Sequence, residues 1–191
     1  MAATNSNIVN GLRPVKNLSG SEVNFQESYF ATAATDAVAI FPGDLVKLTG
    51  GTDASGIPIV AQAAAGDIPV GVMTAIFPNG ADLTQLHRKA SVATYIYAVT
   101  DPNTIYEAQA NAAVALTDAT KNCSIVVAAG NTVTGASGMQ LDTAGTTNTT
   151  NTLTLRLMGF SQALNNIPNA TYNKMYVKIN SHAYGNIVAG V

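Results

Sequence analysis

The sequence predicts an all-β protein, and three observations carry that expectation. From Tyr29 onward the chain is built of short apolar runs separated by turn-forming residues. Two late segments alternate cleanly: Leu153, Leu155 and Leu157 against Thr152, Thr154 and Arg156, then Met175, Val177 and Ile179 against Lys174, Tyr176 and Lys178. Such period-two alternation describes a strand with one buried and one solvated face. Helical periodicity is scarce, with at most one short helix expected in the Ala-rich stretch 108–118.

The elements follow in order. Residues 1 to about 28 hold few large apolar side chains, many Asn and Ser, and the pair Arg13-Pro14. Pro14 holds its predecessor extended. This segment is expected to be an extended N-terminal arm that packs mainly on other chains, and residues 29–191 to form one β-rich domain. Phe41-Pro42-Gly43-Asp44 suits a tight turn, Pro setting φ and Gly permitting positive φ. It feeds Leu45 to Thr49. The glycine-rich 50–56 is then a turn into Ile57 to Ala61, where Pro58 marks an edge or a strand start because it cannot donate to a ladder. Val70 to Phe77 is a strand closed by Pro78-Asn79-Gly80, and 92–99 (VATYIYAV) is apolar on both faces, as a central strand is. Residues 130–152, rich in Gly, Thr and Asn, are expected as a long loop or projecting hairpin.

Composition bounds the function. Of 191 residues, 47% are hydrophobic, so the chain can build a core, but only 10% are charged against a usual quarter. Either this is an ordinary all-β domain with a Thr-rich surface, or much of its surface is covered by partners. Net charge is −2 with no run of like charges, so no direct nucleic-acid binding is expected. No membrane-spanning helix is expected either, since no apolar stretch is long enough. The first residues lack the basic and apolar regions of a secretory signal, and Cys123 is the only cysteine, which points to folding in a cytoplasm without a disulfide.

Catalytic patterns are missing. His87 and His182 stand in short polar stretches and are expected at a surface or interface; neither lies near a nucleophile motif. Cys123 falls inside an apolar run. Asp36, Asp44, Asp53 and Asp67 recur near turns, where turn formation explains them better than calcium binding. No zinc spacing or phosphate-cradling glycine motif occurs. No enzyme activity, cofactor or metal is expected.

Several segments resemble head decoration, or cement, proteins of tailed bacteriophages, closest to those of short-tailed phages. They are Gly11-Leu12-Arg13-Pro14-Val15-Lys16, FPGDLVKL (41–48), GIPIVAQAAAGDIPVGVM (56–73), DPNTIYEAQ (101–109), AGNTVTGASGMQLD (129–142), LRLMGF (155–160) and MYVKIN (175–180). The resemblance covers nearly the whole chain. It implies a β-barrel or jelly-roll-like body on the outer surface of the capsid, with the arm, here Leu12, Arg13, Pro14, Val15 and Lys16, laid over neighbouring major capsid proteins. It also implies homodimers or homotrimers, synthesis in a host bacterial cytoplasm, and stabilisation of the shell against internal DNA pressure. With so few charges, attachment is expected to depend on backbone hydrogen bonds and apolar contacts and to resist moderate salt. The alternative reading is a tail-associated or fibre adhesin module that binds host surface glycans, displaying the 130–152 loop; the absence of Trp weighs against it.

Overall fold

Alternation in the sequence becomes pleating in space: Met175, Val177 and Ile179 are buried while Lys174, Tyr176 and Lys178 line the other face of their strand. The computed structural model describes residues 4–78, 80 and 82–185. Strand makes up 37% of the chain and helix 2%, so the all-β class holds.

Among the described residues, eleven strands form two sheets. Strands β1 (Arg13–Asn17), β2 (Ser28–Thr32), β3 (Leu45–Thr52), β4 (Pro58–Gln62), β5 (Gly71–Ile76) and β6 (Thr94–Val99) come first. Then follow β7 (Thr104–Gln109), β8 (Asn122–Val126), β9 (Gln140–Asp142), β10 (Leu155–Phe160) and β11 (Lys174–Ile179). Strands β2-β4-β3-β5-β6 close into a small barrel, and β1-β7-β11-β10-β8-β9 form an open six-stranded sheet. Except for the parallel β2–β4 pair, every strand pair is antiparallel. Closure leaves the barrel no free edge; the open sheet keeps two, at β1 and β9.

Two cores follow from this division. Phe30, Ile40, Val46, Val60, Met73 and Ile96 fill the barrel. Leu45, Val72 and Val99, on the opposite faces of the same barrel strands, join Tyr106, Leu141, Leu155, Leu157, Met175 and Val177 in a second core against the sheet. The barrel wall is thus apolar on both sides where it meets the sheet, whereas the outward Tyr95 and Tyr97 of β6 pack with Tyr29 and Phe77.

The structure corrects several expectations. The N-terminal segment is extended, but it lies on its own body: Leu12 belongs to the second core, and β1 pairs with β7. A mainly intermolecular role is excluded for Leu12, whose side chain is spent on the fold. Residues 130–152 do not project as a unit, because Met139 and Leu141 are buried and β9 pairs with β8. The stretch 108–118 is not a helix. Ala108 pairs with Met175 in the ladder, and only the 3₁₀ turn Leu116–Asp118 is helical, so sheet pairing overrides the propensity of alanine. Strand β3 runs on through Gly50 and Gly51 with an irregular register, and the turn falls at 53–56. Pro58 starts β4, whose two sides are both paired. Leu153 precedes β10 and is half-buried, outside either core. Of the turn expected at Pro78-Asn79-Gly80, Asn79 lies outside the described residues.

Candidate binding surface

The segment Gly11 to Lys16 is positioned by a three-way junction. Gly11 has a φ of +66° and Gly43 one of +98°, conformations open to glycine, and they bring two backbones into contact. Leu12 N–H donates to the Gly43 carbonyl at 2.9 Å, and Gly43 N–H to the Met73 carbonyl at 2.7 Å. The third arm is the loop after β8: Ser137 N–H donates to the Pro42 carbonyl at 3.2 Å. At the centre lies the fully buried carboxylate of Asp44. It accepts from Phe41 N–H at 2.9 Å, Gln62 Nε2 at 2.8 Å and the Ser137 hydroxyl. Burial raises the Asp44 pKa, and those three donors pull against the rise. A buried carboxylate so fully donated to holds the junction together.

Beyond the junction, β1 runs out as the edge of the open sheet. A bulge between Pro14 and Lys16 leaves Val15 outside the ladder and exposed. Beside it is a groove of about 420 Å³ whose walls include Leu12, Pro14, Phe25, Met73, Leu86 and Gly135. Phe25 and Leu86 are half exposed, at 53% and 48%. Phe25 and Leu86 thus add exposed apolar area beside an open strand edge.

Of the residues expected in the arm contact, the structure leaves Arg13, Val15 and Lys16 exposed, Pro14 half-buried on the groove and Leu12 buried. Phe25 and Leu86 were not foreseen. Each stands alone among polar residues in the sequence, so no local pattern marks it; they meet only through the fold.

The histidines, the cysteine and the turn aspartates are placed as follows. His87 and His182, expected at a surface, are both buried. His87 stacks on Phe41 at 4.4 Å, and burial lowers its pKa. His182 accepts from Tyr184 N–H at 3.0 Å, and burial pulls its pKa down to about 4. The residue after His87, Arg88, is also buried, donating to the carbonyls of Ala33, Val38 and Val92. Cys123 is buried and its thiol is pushed up to about 12, so it forms no thiolate at neutral pH. Asp53 accepts from Ser55 and Ile57 N–H, both at 2.8 Å, and Asp67 from Ala64 N–H at 2.7 Å, which are turn-forming contacts. Among the described residues no group of three or more His, Cys, Asp or Glu could hold a metal ion.

An aromatic patch is a second unforeseen feature. Tyr95 and Tyr97, two apart on β6, point outward and meet Tyr29 and Phe77. Tyr29 and Tyr95 stack at 4.8 Å, and the Tyr95 hydroxyl donates to Asp53 at 2.9 Å.

No protein-family model, curated protein or solved structure matches the chain.

Proposed function

We propose that this chain is a capsid decoration protein that binds the outer surface of an assembled phage head and clamps neighbouring major capsid proteins. The observation that carries the reading is the pairing of an open strand edge with an apolar groove at residues 11–16, where the sequence resembles cement proteins. An edge strand offers backbone donors and acceptors for strand addition, and the groove offers apolar contact beside it. The rest of the body is a rigid two-core scaffold that presents them. A protein that binds only the expanded shell stabilises it by mass action, and a homodimer or homotrimer spanning several subunits gains effective concentration.

The test uses Phe25→Asp and Leu86→Asp, both at exposed positions, with heads that lack the protein. Head binding should fall at least tenfold while the melting temperature stays unchanged. Undiminished binding by both variants would refute the groove's role.

The aromatic patch favours a second reading, an adhesin module that stacks glycans on Tyr and Phe rings. Those rings pack on one another, which leaves edges rather than open faces for a sugar. Copy number on the virion separates the two readings, hundreds for a decoration protein and few for an adhesin.

A further inference from the structure

Four of the nine Lys and Arg side chains are ion-paired: Lys47 with Asp67, Arg88 with Asp36, Lys89 with Asp82 and Lys121 with Asp118. The other five, Arg13, Lys16, Arg156, Lys174 and Lys178, have no ion pair among the described residues, and all lie on β1, β10 and β11 of the open sheet.

Register places them on one face. Arg13 lies opposite Glu107, and Glu107 opposite Tyr176, whereas the next row, Pro14, Tyr106 and Val177, turns toward the core. Lys16 sits over the Tyr176 ring at 5.8 Å. Lys174 and Lys178 flank Tyr176 on the same side of β11. Arg156 stands directly opposite Lys178, a like-charge cross-strand pair that disfavours the isolated sheet. Glu107, held by the Ser161 hydroxyl, is the one carboxylate in these rows.

Lysines on an edge strand commonly guard it against aggregation. That does not account for Arg156, Lys174 and Lys178, because β10 and β11 are interior strands of the sheet. Cations set opposite one another and left without carboxylates are relieved by a partner that supplies them. We propose that the outer face of the six-stranded sheet docks a carboxylate-rich protein surface, which, on the reading given under Proposed function, belongs to the capsid shell. A protein occupant fits better than nucleic acid: Glu107 would repel phosphate at the centre, Tyr176 is capped by Lys16 rather than open to a base, and exposed Met158 on β10 adds apolar contact. Attachment through these cations would weaken with salt, contrary to the expectation of salt resistance, since charges at a surface are screened.

The experiment measures binding of the full chain to immobilised poly-L-glutamate, to duplex DNA and to heads lacking the protein, in low and in half-molar salt. Variants are Arg156→Glu/Lys178→Glu, its neutral form Arg156→Gln/Lys178→Gln should the first fail to fold, and Lys89→Glu on the barrel as control. The wild type should bind poly-L-glutamate and heads, at least tenfold more weakly in half-molar salt and in the sheet variants, with Lys89→Glu unchanged. Equal binding of poly-L-glutamate and heads by wild type and sheet variants would overturn the proposal, as would tenfold tighter binding to DNA than to poly-L-glutamate. If the wild type ignores heads while the sheet variants lose poly-L-glutamate, the capsid reading falls and the acidic-protein face stands. If heads bind wild type and variants alike, the face falls and the capsid reading stands.

Discussion

His182 makes the fold sensitive to mild acid. The residue is 3% exposed, Nδ1 accepts from Tyr184 N–H, and Nε2 is buried with no hydrogen-bond partner among the described residues. Asp101 favours the charged ring and Lys178 opposes it, but burial dominates and lowers the pKa from 6.5 to about 4. The folded state therefore holds the neutral ring, and protons bind preferentially to the unfolded chain. The resulting stability is fully present above pH 6.5 and is lost as pH falls through about 4. Between about pH 7.5 and 4.5 the loss from this one residue is on the order of 2–3 kcal/mol. Urea unfolding of wild type and His182→Gln at both pH values isolates it, because carboxylates held low by hydrogen bonds, such as Asp53 and Asp82, act equally in both proteins. The wild type should lose about 2–3 kcal/mol more than the variant over this range. An identical pH dependence would refute the assignment of a buried neutral imidazole.

Three further outcomes follow from the packing. Leu157→Ala and Met175→Ala should each cost about 2–5 kcal/mol in chemical denaturation, and Leu153→Ala under about 1 kcal/mol, since Leu153 stands outside the core. Gly11→Ala should destabilise far more than Gly20→Ala: both have positive φ, but a Cβ on Gly11 would sit 2.6 Å from Ser137 Cβ and against the Gly43 carbonyl oxygen, while Gly20 faces open space. Deleting residues 1–17 should lower the melting temperature, because it removes Leu12 from the core and β1 from β7; an unchanged melt would show that the segment is a dispensable arm.

Strands were legible wherever one face was wet and the other dry. In β10 and β11 the alternation of Leu155, Leu157, Met175, Val177 and Ile179 was read correctly, because a one-residue slip would expose the whole set. Leu153 was misjudged since the pattern begins before the ladder does. Leu12 and Leu141 were missed for a different reason: each is an isolated apolar residue in a polar stretch, and burial there comes from long-range pairing with β7 and β8. Both histidines misled in the same way, sitting in polar stretches of sequence that fold inward. The candidate surface was half visible. Arg13, Val15 and Lys16 were named, but the groove needs Phe25 and Leu86, and the cationic face needs Arg156, Lys174 and Lys178, brought beside β1 only by the strand order.

The most direct measurement is an image of intact virions at a resolution that traces strands. Copies of this body are expected in hundreds on the outside of the head, with the β1 edge and its groove against the major capsid protein. A bare capsid lattice, or copies confined to the tail, would contradict it.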